Sequence, residues 1–301
     1  MLAIVIPYFK LYFFRDTLES LKAQHNKNFV IYIGDDASPE RPFELIKEYE
    51  KELHIKYHRF QNNMGATSLV KQWERCVALT GDEEWVMILG DDDVLDAQVV
   101  EHFYHHLTRV AALNIHVMRF STLKINATGE AISEHITNPE IERSTDFIFR
   151  ATRCSLSEYV FHKQKLLEVG FKNFPLGWAS DKLAVVEVSN FSKIFSINQA
   201  LVKIRISDKS ISGMGFNKQK NHAMFMYYFY LLKAHGEQFD KNQISVLQTK
   251  MHKTYYNDKF SVGKLIKILT LYFKKGYFRE FFVFIFNVFT HVKIKKRHFF
   301  C

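Results

Sequence analysis

The stretch 85-WVMILGDDDVL-95 decides the fold. Its apolar run, 85–89, is too short for a helix and has the length and residue types of a buried strand. It breaks at Gly90 into Asp91, Asp92 and Asp93. The stretch 29-FVIYIGDDAS-38 repeats the pattern, an apolar run that ends in Asp35 and Asp36. Working outward, LAIVI (2–6), IKYHRF (55–60) and IHVMRF (115–120) read as further strands. Helical periods lie between them. Leu69, Val70, Trp73, Cys76 and Val77 share one face, with Gly81 placed to close that helix, and a further helix starts near Ala97. Ser38-Pro39-Glu40 has the order of an N-cap, a first-turn proline and an acid, ahead of Phe43, Ile46, Tyr49 and Leu53. Strands alternating with helices predict right-handed crossovers and a mostly parallel α/β sheet. In such sheets ligands bind beyond the carboxyl ends of the strands.

Both acidic clusters therefore belong to one rim. Five carboxylates on one rim repel one another unless a cation or donor groups offset them. Carboxylates at alternate extended positions project to one side and can share a hard divalent cation whose shell substrate phosphates complete. There is no G-x-G-x-x-G after the first strand and no G-x-x-x-x-G-K-[ST], so phosphates would be held by metal and side chains. His102, His105 and His106 have zinc-ligand spacing, but opposite Val99, Val100, Phe103, Leu107 and Val110 they read as a solvated face. No G-x-S-x-G elbow supports a hydrolase.

The chain of 301 residues has a net charge of +9, 47% hydrophobic and 24% charged residues, a mixture that excludes wholesale disorder. The charge is not spread evenly. Residues 259–301 hold ten Lys/Arg and one acid, Glu280, which leaves 31 basic and 31 acidic residues in 1–258. A nucleic-acid partner is therefore not expected, because the basicity belongs to a tail. Cys76, Cys154 and Cys301 form neither a C-x-x-C pair nor a disulfide framework, which suits a reducing compartment. The N-terminus lacks a basic n-region, and no apolar stretch reaches ~18 residues, so neither a signal peptide nor a spanning helix is expected.

The motifs IPYFK (6–10), DDAS (35–38), NMG (63–65) and LGDDDVL (89–95) together resemble family 2 glycosyltransferases of the GT-A fold. In that family the first strand ends I-P-x-Y-N, the second D-D-x-S, an N-x-G precedes the third helix, and a metal-binding D-x-D closes the fourth strand. The resemblance covers residues 1–120 and continues more weakly to about 215. It implies a GT-A (Rossmann-like) catalytic domain over 1–215, with a basic, aromatic-rich helical extension over 216–301. Pro7 and Phe9 would lie against the nucleotide base, Asp36 would accept from a uracil N3–H, and Asp35, Asn63 and Gly65 would complete that subsite. Asp91, Asp92 and Asp93 would hold Mg²⁺ or Mn²⁺ on the diphosphate, with Asp92 the direct ligand. Within KIRISDKSIS (203–212), Arg205 would neutralise phosphate charge, and Ser207 stands where many relatives carry His. FPLGWASDKLAVVEV (174–188) would supply the general base, Asp181, and Trp178 would stack on a sugar.

The implied activity is inverting, metal-assisted transfer of a hexosyl or acetamidohexosyl group from a nucleoside diphosphate sugar, most naturally UDP-linked, to a glycan or lipid-linked glycan hydroxyl. The alternatives are a metal-dependent nucleotidyltransferase and an inert membrane-surface binding protein. A basic, aromatic-rich 259–301 would rest on an anionic bilayer, placing the protein on the cytoplasmic face of the cell membrane. The resemblance is to enzymes of bacterial surface-polysaccharide synthesis.

Overall fold

The computed structural model describes residues 1–150, 155–208, 210, 213–258 and 261–297, with 291–297 by backbone alone. Cys154, Lys259, Phe260, Phe299, Phe300 and Cys301, which entered the sequence reading, lie outside the described residues, as do positions 209, 211 and 212 of KIRISDKSIS. The chain divides into two compact units, Met1–Gly215 and Phe216–Cys301.

In the first unit, β1 (Leu2–Tyr8), β2 (Phe29–Asp35), β3 (Ile55–Arg59) and β4 (Trp85–Ile88) run parallel in the order β3-β2-β1-β4. They are joined by α1 (Phe14–Lys22), α2 (Phe43–Tyr49) and α3 (Leu69–Val77). β1, β2 and β4 are apolar almost throughout because helices cover both faces, whereas the edge strand β3 alternates half-buried with exposed positions. After β5 (Val94–Leu95), α4 (Val99–Ala112), β6 (Val117–Ile125), β7 (Ile141–Arg143) and α5 (Ser144–Phe147), the chain returns through a short 3₁₀ turn, Leu156–Glu158, to β8 (Tyr159–His162). Then follow α6 (Lys163–Val169), α7 (Ser180–Val188) and the long β9 (Lys193–Arg205).

The sheet is mixed. β8 inserts antiparallel between β4 and β6, and β5 and β7 pair antiparallel with β9, so the parallel expectation holds for the first four strands and for β6 against β9. Leu2, Ile4, Ile6, Ile31, Met87, Phe103 and Phe195 contribute to one buried cluster on one side of this sheet.

Two local expectations are corrected. α2 begins at Phe43, not at Ser38-Pro39-Glu40. Ser38 is occupied elsewhere: its Oγ donates to the Phe9 carbonyl at 2.5 Å and its N–H to Asp35 Oδ1 at 2.8 Å, which makes the segment a turn tied to β1. His102 and His106 are half-buried, not solvated. His106 lies 5.1 Å from the Phe195 ring, and burial lowers its pKa.

α3 presses hard on β2. A Cβ at Gly34 would fall 2.3 Å from Cys76 Sγ, so only glycine admits the helix at this distance. Burial pushes the Cys76 thiol up to about 12, as suits an unreactive core residue.

The second unit contains α8 (Lys218–His235), α9 (Lys241–Asn257), α10 (Val262–Lys275) and α11 (Phe278–Arg297). Asn217 caps α8 through Lys220 N–H at 2.9 Å, and Asp240 with Gln243 forms a capping box on α9. Among the described residues no helix is long and apolar enough to cross a membrane.

The Gly34 contact gives a stability test. Gly34→Ala overpacks the β2–α3 interface and should cost about 1–3 kcal/mol of unfolding free energy. Adding Cys76→Ala removes the clashing sulfur and should restore much of the loss in denaturant melts.

Candidate active site

The carboxyl ends of β1 and β4 open into a cavity of about 440 Å³. Pro7, Phe9 and Lys10 line it from β1, Asp91, Asp92 and Asp93 from the turn after β4, and Ser155 and Ser157 from the turn before β8. Asn63, Gly65 and Trp73 complete another wall.

The three aspartates do not point together. Asp91 Oδ2 accepts the backbone N–H groups of Phe9 and Lys10, each at 2.8 Å, and so is tied to the end of β1. Asp93 is buried: its Oδ1 accepts Arg205 N–H at 2.9 Å and its Oδ2 accepts the Ser157 hydroxyl at 2.5 Å. Ser157 Oγ in turn accepts Gly90 N–H at 3.0 Å, so one hydroxyl braces both ends of the turn. The Asp92 carboxylate, alone of the three, accepts no hydrogen bond from the described residues, and Asp92 lies on the cavity wall. The expectation that alternate carboxylates project together fails because the segment is a turn, not an extended strand. A Cβ at Gly90 would lie 3.0 Å from Asp92 Oδ1 and 3.1 Å from Asp93 Oδ2, which explains glycine at this position.

Burial raises the pKa of all three carboxyls. Asp93 is pushed up to about 6, and Asp92 rises well above the usual range because Asp93 and Asp91 add their repulsion to its burial. Among the described residues no three His, Cys, Asp or Glu side chains converge as a metal cage. One outward carboxylate in an acidic field nevertheless fits Mg²⁺, which is commonly held by one or two carboxylates and completed by phosphate oxygens and water.

Arg205 stands differently from expectation. Its side chain is buried and spent on the protein: Nε donates to the Asp92 carbonyl at 2.9 Å, one terminal nitrogen to the Asn126 and Ala127 carbonyls at 3.1 and 3.0 Å, and the other to Asp16 at 2.7 Å. Its guanidinium also lies 4.4 Å from the Phe13 ring centre. Arg205 is thus a brace beneath the acidic turn rather than a free phosphate arm. Lys10, which the sequence reading quoted without a role, brings its charge to the cavity and lowers the pKa of Asp91 and Asp92.

Asp36 lies on the cavity wall but is only 4% exposed. Its carboxylate accepts Met64 N–H at 2.6 Å, Gly65 N–H at 2.8 Å and the Arg75 guanidinium, which leaves little acceptor capacity facing the cavity. A Cβ at Gly65 would meet Asp36 Oδ2 at 2.5 Å, so the glycine of the N-x-G segment is sterically required. Asn63 Oδ1 closes the same loop on Ala66 N–H at 2.9 Å. Asp35 is not on the cavity wall. It is fully buried, bound by Arg59 at 2.6 Å, the Tyr57 hydroxyl at 2.5 Å and Ser38 N–H, and is a structural anchor.

Asp181 and Trp178 are half-buried and stand outside the cavity wall. Asp181 lies in the first turn of α7, after a strained loop in which Leu176, Gly177 and Ala179 all have positive φ. That loop meets the cavity through Trp73, since a Cβ at Gly177 would lie 2.7 Å from its ring. Glu158, which the sequence reading missed, ends the Leu156–Glu158 turn and feels the Asp181 charge. It is fully buried, and burial, with a smaller contribution from the Asp181 charge, pushes its pKa up to about 8. Its legible signal was the capping box, in which Ser155 N–H donates to Glu158 at 3.0 Å.

Residues 3–159 match the profile of Glycosyl transferase family 2. An uncharacterized glycosyltransferase of Haemophilus influenzae is 24% identical over 287 residues, covering 90% of this chain and 94% of that protein. Staphylococcus aureus TarS 1-349 in complex with UDP-GlcNAc superposes with a TM-score of 0.63 at 11% identity, covering 90% of this chain and 79% of that one. GalNAc-T7 with UDP, GalNAc and Mn²⁺ gives a TM-score of 0.53 at 11% identity, covering 84% and 54%. These solved structures share the GT-A fold with this chain. The nucleotidyltransferase alternative and the inert-protein alternative are set aside by the family match, and the chain belongs to glycosyl transferase family 2.

Proposed function

We propose that this chain transfers a hexosyl or acetamidohexosyl group from a UDP-linked donor to a hydroxyl of a glycan or lipid-linked glycan, with inversion at the anomeric carbon. The observation that carries the reading is the Asp92 carboxylate, left without a hydrogen-bond partner among the described residues at the cavity wall while both neighbouring carboxylates are tied down. Mg²⁺ or Mn²⁺ would be held by Asp92 in the field of Asp91 and Asp93, and would supply stabilisation of the charge that grows on the departing diphosphate.

The rest falls to the chain's own groups. Pro7 and Phe9 offer an apolar wall for the base, and Phe9 can stack without a hydroxyl. The Asp36 clamp holds the Asn63–Gly65 loop in place, and one remaining lone-pair site can take the base N3–H. Lys10 balances phosphate charge, while Arg205 and Ser157 fix the backbone of the acidic turn. In the transfer itself the acceptor oxygen bonds to the anomeric carbon, the carbon–diphosphate bond breaks with its electron pair going to the diphosphate, and the hydroxyl proton goes to Asp181. Trp178, on the same loop, would contact the acceptor. Residues 259–301 would rest on the cytoplasmic face of the membrane, near a lipid-linked acceptor.

Asp92→Asn should abolish transfer, and EDTA should do the same to the wild type; full activity of the variant would end the metal proposal. The same substitution should stabilise the cation-free protein. Burial holds these carboxyls above the unfolded value of ~3.9. The fold is therefore free of their repulsion below that pH and bears it increasingly as pH rises above it toward the raised folded values. Asp92→Asn should accordingly raise Tm by about 2–4 °C at neutral pH, as a ~1 kcal/mol relief would, and change it little near the unfolded pKa.

Asp181→Asn should lower kcat by about 10²–10⁴-fold with donor affinity nearly unchanged. Steady-state kinetics beside donor titration separates this from a binding role. Lost donor binding with kcat preserved would move the base elsewhere.

A further inference from the structure

The aromatic residues of α10 and α11 fall into two sets. Tyr272 and Phe284 are buried with Ile268 and Leu271; the His252 ring stacks on Phe284 at 4.3 Å and its Nε2 meets the Tyr272 hydroxyl at 2.6 Å. The second set faces outward. Phe273, Phe282, Phe286 and Phe289 are 71%, 69%, 68% and 64% exposed, and Ile266 and Phe278 are more than half exposed. Phe278, Phe282, Phe286 and Phe289 follow helical spacing along α11. Phe273 and Phe278 meet edge-to-face at 6.2 Å across the Gly276 turn, so the outward rings of the two helices form one ridge. Lys267, Lys274, Lys275 and Arg279 are exposed on the same two helices, whereas Glu280 is half-buried.

We propose that this ridge is a docking surface for an anionic lipid bilayer, with Phe282 and Phe286 entering the headgroup boundary and Lys274, Lys275 and Arg279 engaging acidic headgroups. It deepens the membrane-side reading of the proposed function by naming the surface that makes the contact. A second copy of the chain fits less well. A two-fold interface would set the same basic fringe against itself, and like charges would oppose the contact. An anionic surface complements the fringe while the aromatic rings take up the apolar boundary. Neither helix is long and apolar enough to span, so both would lie in the plane of the interface.

The test is co-sedimentation of the full chain with phosphatidylglycerol–phosphatidylcholine vesicles and with phosphatidylcholine vesicles, at low and high salt. The wild type should pellet with the anionic vesicles at low salt and be released by high salt. Phe282→Ser with Phe286→Ser should weaken binding at least about tenfold. Lys274→Gln with Lys275→Gln should weaken it and flatten its salt dependence. Diphosphate release from the donor, measured without lipid, should stay unchanged in both variants. Failure to bind vesicles thus leaves the transferase reading standing, and absence of turnover in a vesicle-binding protein strikes that reading alone. Two results would overturn the proposal: equal vesicle binding by the wild type and the Phe282/Phe286 variant, or no wild-type binding at low salt. A wild-type dimer that the phenylalanine variant converts to monomer would assign the ridge to a second copy instead.

Discussion

The hydrogen bond from Arg205 N–H to Asp93 Oδ1 joins the end of β9 to the turn that follows β4, and the rest of the site depends on it. With the Arg205 side chain on the Asp92 carbonyl, Ser157 on Gly90 and Asp93, and β1 amides on Asp91, three separated segments fix one four-residue turn. Each bond supplies a donor to a group that burial would otherwise make costly. The arrangement leaves one carboxylate, Asp92, whose burial and repulsion by Asp93 and Asp91 outweigh the relief from Lys10 and Arg205. A site that keeps such a group is less stable than its fold allows, as is common where binding energy is held ready for a charged ligand.

Strands β1, β2 and β4 were legible because they are buried on both faces and therefore read as apolar runs between turn residues. Strands β5, β7 and β8 were not, because two to four residues carry no period and their pairing is decided by partners far along the chain. The start of α2 was misread for a local reason. Ser-Pro-Glu is a good helix opening, but Ser38 makes a competing bond to the Phe9 carbonyl that exists only after β1 and β2 have paired.

Within the site, the acidic turn could be found from sequence, but the division of labour inside it could not. Asp91, Asp92 and Asp93 are identical in type and differ only in which amide or hydroxyl reaches them. The same holds for Asp35 and Asp36: one is a buried anchor and the other a cavity-facing clamp, although they are adjacent in sequence. Arg205 read as a phosphate-neutralising residue because most of its acceptors are backbone carbonyls, which leave no trace in side-chain identity. In the C-terminal helices, composition alone could not separate Phe284, packed on His252, from Phe282 and Phe286, two residues away on either side and open to solvent.

The central claim is that tethering of Asp91 and Asp93 leaves Asp92 as the carboxylate that meets the donor's metal. Anomalous diffraction at the manganese edge, from crystals grown with Mn²⁺ and UDP, tests it most directly. The account predicts a single strong peak beside the Asp92 carboxylate and the diphosphate, with the Asp91 and Asp93 bonds to β1 and β9 intact. A peak coordinated by Asp91 or Asp93 with Asp92 turned away would contradict it.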